Sequence, residues 1–365
     1  MDAIKAGQIF ALYLFDIAEA IDLRSAAERV AGSTRARLEP KAAAPAYFQY
    51  LEPPILFDGN VVEGSDLQGF HAVFRVFDYG IVALRLSRPF SGTWAELAAT
   101  AQSLVENEKL ERHAEQACRS LAGRLGGALK APRSNLLSED YLVFAVNELD
   151  QPKSAADLLG MHGDVIAQLL RGESAQLSAQ ERDEVLSNRI SYLADDLAIP
   201  TWNSAFVYDT PAGAQAAVEI FEFANSQLLQ FRYYDELLDN ELARIYADMQ
   251  QKRWYDWIGG RHYARAARQV HALFIDVNEL TDRTENTLKI IGDVYAARLF
   301  SLAGARLDLN RWKTNVREKL TTLDEIYRFL VERISMSRGQ FLELTVVIIL
   351  VLELVMLFAG IGGSG

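Results

Sequence analysis

Cysteine is almost missing from this chain. Cys118 stands alone among 365 residues, so no intrachain disulfide can form and a reducing compartment is expected. Cys118 falls in a helical pattern, where a small buried hydrophobe is the ordinary role. Histidine is scarce as well: His71, His113, His162, His262 and His271 are scattered, and the nine-residue gap between the last two does not suit a metal. The sequence has no GxxxxGK[ST] phosphate loop, no GxGxxG after a strand, no HExxH and no GxSxG. No catalytic residue, cofactor site or metal site is therefore expected, and the chain does not read as an enzyme. Positive charge is in deficit, with 37 Lys and Arg against 49 Asp and Glu and a net charge of −12. A body of that sign excludes a dedicated DNA binder, although a local basic patch survives the argument. Residues 9–15 are too short and poorly flanked for a signal peptide, so no cleaved targeting segment is expected.

What is present divides the chain. Residues 1–150 alternate strand and helix signals. Ile9–Phe15 is an apolar, aromatic-rich run that suits a buried strand, and Asp22–Val30 a short helix. The stretch 47–57, broken by Pro53 and Pro54, can be an edge strand at best. Residues 70–77 and 81–87 pair as a hairpin about Asp78-Tyr79-Gly80, where Gly80 supplies the positive φ. Helices are expected over 93–105 and 109–125, and a strand over 140–149. Together these predict an α+β fold: a small N-terminal, mostly antiparallel sheet with helices on one face. Residues 151–210 read as a helical connector, with a capping box at Ser178–Glu181 opening a helix to about Leu197, and one more strand at 202–208.

From 211 to 340 the pattern is that of a long-helix, coiled-coil-like domain. Thr210 followed by Pro211 is a strong helix start, and nothing breaks the helix before Met249. Gly259-Gly260 marks a turn, and further helices run over 263–303 and from 307 onward. In the last of these, Leu309, Trp312, Val316, Leu320, Leu323, Tyr327, Leu330 and Ile334 form a near-heptad seam with one stutter. It can pack on a long neighbour of its own chain or on a second copy.

Three groups of residues are candidates for function. Asp235, Glu236, Asp239 and Glu241 cluster on a helix; Asp235 and Asp239, four apart, share a face and could hold a hard cation or pair with basic residues. Arg253, Arg261, Arg265 and Arg268 are interleaved with Trp254 and Trp257, a mixture that suits anionic lipid headgroups or RNA as well as a buried helix tip. Residues 344–363 carry a single ionisable side chain, Glu353. Twenty helical residues reach about 30 Å, the thickness of a bilayer core, so a C-terminal transmembrane helix is expected over 341–363. A mid-membrane carboxylate costs ~2.5–3.5 kcal/mol, which the flanking aliphatics outweigh. Glu343 and Glu353 then become the membrane or oligomer contacts. Arg333 and Arg338 precede the span, which places the body in the cytoplasm and the protein, tail-anchored, in a bacterial inner membrane.

Leu307-Asp308-Leu309, Glu318-Lys319-Leu320, Leu342-Glu343, the aliphatic run after it and Glu353, with Phe223–Leu229 in the middle helix, resemble the required-for-meiotic-nuclear-division family, also called domain-of-unknown-function family 155. The resemblance implies an inner-membrane-anchored protein with no known enzymatic chemistry, whose eukaryotic relatives support translation at the mitochondrial inner membrane. The expected function is a membrane-tethered, homo-oligomeric scaffold that holds a ribosome or another protein partner near membrane lipid. The alternative is an oligomeric ion channel, similar in outline to CorA-type channels, with Glu353 in the span.

Overall fold

The computed structural model describes residues 3–30, 34–35, 53–59, 69–105, 107–250, 268, 271–272, 274–275, 277 and 294–358. It divides into two compact units, residues 1–233 with 284–312, and residues 234–283 with 313–365.

The first unit is built on an eight-stranded sheet. In chain order its elements are β1 (Ile4–Ile21), α1 (Leu23–Arg29), β2 (Thr34–Arg35), β3 (Ile55–Asp58), β4 (His71–Val76), β5 (Ile81–Gly92), α2 (Trp94–Val105), α3 (Glu108–Leu125), β6 (Leu129–Leu149), α4 (Ala155–Arg171), α5 (Ala179–Ser187), β7 (Leu197–Pro200) and β8 (Ser204–Tyr208). The helices α6 (Pro211–Gln250), α7 (Val294–Arg306) and α8 (Leu309–Phe358) follow. The strand order is β2-β3-β4-β5-β1-β6-β8-β7. Every pairing is antiparallel except β6 with β8, where Leu142 faces Ser204 and Val146 faces Tyr208. The mixed α+β fold and its mostly antiparallel sheet are as the sequence predicts, and two strands, β7 and β8, come from beyond residue 150.

β1 is the axis of the sheet, flanked by β5 and β6 along most of its length. Its odd positions Ile9, Ala11, Tyr13, Phe15 and Ile17 pack in one core with Leu97, Leu110, Leu121, Leu158 and Ile166 of α2, α3 and α4. Its even positions Phe10, Leu12 and Leu14 are equally buried. Leu12 lies between Arg85 and Tyr141, and the Tyr141 ring meets Phe221 of α6 at 5.7 Å. Helices therefore cover both faces of the sheet, not the single face expected. A strand sealed on both sides reads as an unbroken apolar run, which is why Ile9–Phe15 shows no alternation.

Local chemistry sets the boundaries. Asp22 caps α1, accepting from the N–H of Arg24 and Ser25 at 3.0 and 3.1 Å. Ser154 caps α4 through the N–H of Asp157, and Ser178 caps α5 through that of Glu181. α5 stops at Ser187, short of the expected Leu197. The Asp196 carboxylate accepts from the N–H of Tyr192 and Leu193 at 2.6 Å each, folding a turn in place of more helix. At the β4–β5 hairpin, Gly80 has φ +87°. A Cβ there would strike the Ala18 carbonyl oxygen, so only glycine fits the turn.

In the second unit, Val316, Leu320 and Leu323 of α8 are buried to within 5% of full burial, so the central part of the predicted seam is covered by the chain itself. The expected membrane span is not supported. Among the described residues no helix is long and apolar enough to cross a membrane. The side chains of α8 described in this region run from Thr345 to Met356 and include Glu353. The tail-anchored inner-membrane location falls with the span.

Candidate functional site

The most unusual chemistry lies where α6 crosses β4 and β5. Arg75 and Arg85 stand on adjacent strands, Arg75 opposite Ala83 and Arg85 opposite Val73, so both guanidinium groups leave the same sheet face. α6 meets them with Glu219 and Glu222. Its apolar positions Ala214, Ala217, Val218, Phe221, Ala224 and Leu228 are all buried, at the spacing of one helical face. Glu222 sits inside that stripe with a fully buried side chain.

Arg85 grips Glu222 from two nitrogens: Nη2 donates to Oε2 at 2.6 Å and Nε to the same oxygen at 3.0 Å. Arg75 Nε lies 3.2 Å from Glu222 Oε1, poorly aligned for a hydrogen bond but close enough for ion pairing. Arg75 Nη2 donates to Glu219 Oε1 at 3.0 Å. Two cations and two anions thus close a neutral cluster. Burial alone would raise the Glu219 carboxyl above its ordinary range, but Arg75 and then Arg85 outweigh it and hold the group below that range. The polar stripe continues along α6: Ser226 Oγ shares a hydrogen bond with the Tyr79 hydroxyl at 3.0 Å, and Gln230 Nε2 donates to the Tyr79 carbonyl at 3.2 Å. The hairpin and α6 are therefore joined by polar contacts over some three turns.

A second ionic group lies at the far end of β1. Asp16 is 3% exposed and accepts from Arg133 Nε at 3.3 Å. The Arg133 guanidinium also stacks over the Tyr233 ring at 3.7 Å, and Arg232 pairs with Glu139. Burial raises the Asp16 carboxyl to about 6 in spite of Arg133. A surface hollow of about 310 Å³ is lined by Asp164, Gln168, Gln176, Leu177 and Arg182, where Arg182 is already paired with Asp164 at 2.8 Å.

The residues singled out from the sequence fare differently. Asp235 and Asp239 do share a face, and the cation between them is internal: Lys319 Nζ lies 2.7 Å from a carboxylate oxygen of each. Glu241 pairs with Arg244 at 3.1 Å. Arg268 is helical and exposed, whereas Arg253, Trp254, Trp257, Arg261 and Arg265 lie outside the described residues. Glu343 lies in α8, and Glu353 is exposed on it. No group of three or more His, Cys, Asp or Glu suited to a metal ion occurs among the described residues. Sequence reasoning missed Arg75, Arg85, Glu219 and Glu222. The available signal was an arginine inside the apolar run of each of two strands, Arg75 and Arg85, and a glutamate between Phe221 and Phe223.

A family model described as the N-terminal domain of the uncharacterized protein MJ0711 matches residues 6–215, more than half of the chain. The chain belongs to this family. The uncharacterized protein MJ0711 of Methanocaldococcus jannaschii is 23% identical over 233 residues, covering 64% of this chain and 70% of that protein. No solved structure matches. The family match corrects the assignment to the required-for-meiotic-nuclear-division family. That resemblance rested on short motifs concentrated in residues 307–353, and the physical reason for those motifs is now visible: Lys319 of Glu318-Lys319-Leu320 serves an ion pair within the chain, and Leu320 lies in its seam. The matched stretch contains all of the sheet but the first two residues of β1, includes Arg75 and Arg85, and stops just short of Glu219 and Glu222.

Proposed function

We propose that the chain is a non-enzymatic scaffold: an α+β body that carries a long-helix unit able to hold other protein chains. The observation that carries this reading is the stretch Val346–Met356 of α8. Ten of its eleven residues are aliphatic or Met, and each is 49–57% exposed. Helices with apolar residues all round normally occur buried, and exposed apolar patches of this kind mark interaction sites. Full burial of one such side chain contributes ~1.5–3 kcal/mol, so covering half-exposed residues contributes roughly half of that for each. The body supports the same reading. Its buried charges neutralise one another at the sheet–helix interface, an arrangement suited to rigidity rather than to proton transfer.

The test is affinity capture of the full chain beside a chain ending at Ser337, with retained proteins identified by mass spectrometry. Stoichiometric protein partners held by the full chain and lost on truncation support the scaffold. A measurable turnover, or an identical set of captured proteins for both chains, overturns it.

A further inference from the structure

The seam of α8 does not end where its cover ends. Stepping by 3 and 4 from Leu320 and Leu323 gives Tyr327, Leu330, Ile334, Ser337, Phe341, Leu344, Ile348, Val351 and Val355. Ser337 is the only member without an apolar body. With Leu320 at a and Leu323 at d, the frame needs no insertion through Val355. Ile348 and Val355 then fall at a, Val351 at d, and the lone carboxylate Glu353 at f, the position farthest from a partner helix.

The two parts of the seam differ in one respect. Val316, Leu320 and Leu323 are 0–5% exposed, while Ile348, Val351 and Val355 are 50, 54 and 56% exposed. One continuous helix therefore carries one heptad frame, covered by its own chain upstream and uncovered downstream. We propose that the downstream seam is a homotypic interface, where α8 of a second copy of this chain packs in parallel and in register. Three observations favour a second copy. The frame is continuous with an interface the chain already makes. β-branched residues stand at both a positions and at the d position between them, a pattern that parallel coiled coils of three or four strands accommodate. The only charge of the stretch falls at f, where it does not oppose pairing. This inference rests on the scaffold reading and names the first partner of that unit.

The buried Cys118 leaves the full chain free of an accessible native thiol among the described residues, so an introduced cysteine reports on its own position. Val351→Cys and Leu350→Cys are compared by mild oxidation and non-reducing gels, with sedimentation of the unmodified chain. The expected result is a disulfide-linked dimer for Val351→Cys. Roughly tenfold less is expected for Leu350→Cys, whose position c holds the Cα atoms beyond the ~7 Å that a disulfide bridges. Val351→Asp should reduce the sedimenting species to monomer with helicity retained, and Glu353→Gln should leave the assembly unchanged. A monomer at all concentrations, equal cross-linking at 350 and 351, or a monomer that sediments only with lipid vesicles overturns the inference. Capture of other proteins by such a monomer would leave the scaffold standing without its homotypic seam, whereas a cross-linked dimer that captures nothing would do the reverse.

Discussion

Replacing Glu222 by alanine tests the physical account of the sheet–α6 interface most directly. The Glu222 carboxylate receives two hydrogen bonds from Arg85 and faces Arg75 at 3.2 Å. Without it Arg75 keeps Glu219, but Arg85, whose side chain is 10% exposed, loses both of those bonds. Breaking a buried ion pair from one side costs ~3–5 kcal/mol, because the remaining charge is left uncompensated in a poor solvent. A domain of this kind has ~5–15 kcal/mol in all, so the variant should lose roughly a fifth or more of its stability. Glu222→Gln preserves the shape and one acceptor and should cost less, about 1.5–3 kcal/mol, the range for hydrogen bonds to charged groups. The double variant Arg85→Met with Glu222→Leu removes both charges and should recover most of the loss. Urea titrations followed by circular dichroism, assembled as a double-mutant cycle, measure all three. A single-variant cost under about 1 kcal/mol, or a double variant no better than Glu222→Ala, would refute the reasoning.

Other perturbations follow from the same structure. Asp16 binds its proton more tightly folded (about 6) than unfolded (3.8), so its contribution is fully present below pH 3.8 and declines as the pH rises to 6. The amplitude is up to about 3 kcal/mol. Asp16→Asn should flatten that slope, and equal slopes for variant and parent across pH 4–7 would contradict it. Glu219 has the opposite sign, stabilising above its ordinary 4.5 and less so as the pH falls below it. Gly80→Ala, at φ +87° against the Ala18 carbonyl, should destabilise by more than the ~0.4–1 kcal/mol that an unstrained glycine replacement gains, read as a lower urea midpoint. Lys319→Met leaves Asp235 and Asp239 without their cation and should lower the stability of the long-helix unit by ~1–2 kcal/mol, recovered by adding Asp235→Asn. Burial pushes the Cys118 thiol up to about 12, so thiol reagents should label it only after denaturant is added.

The sheet was legible wherever local signals agree with the fold. The apolar run 9–15, the hairpin about Gly80 and the capping residues Ser178 and Thr210 each act within a few residues, and each is found in place. What escaped prediction depends on distant partners. Nothing near Arg75 or Arg85 announces Glu219 and Glu222, more than 130 residues away, because a charge inside an apolar stripe reads as an exception until its counter-charge is known. The second helical layer was missed for the same reason: α6 looks like the start of a separate helical domain, yet its first half closes the sheet. Length and hydropathy alone suggested a membrane span, and short motifs a different family. Neither kind of signal records which residues the chain itself covers.

The ionic cluster also acts as an index. An apolar helix face slides across an apolar sheet with little penalty at offsets of one turn, about 5.4 Å, since aliphatic contacts are replaceable. Arg75 and Arg85 are fixed by their strands, and Glu219 and Glu222 are three residues apart on the helix. Any such slip would carry both carboxylates away from both guanidinium groups at once. Of the offsets that greasy packing tolerates, the four charges admit one, and the axial position of α6 on the sheet is set the way a keyway sets a shaft.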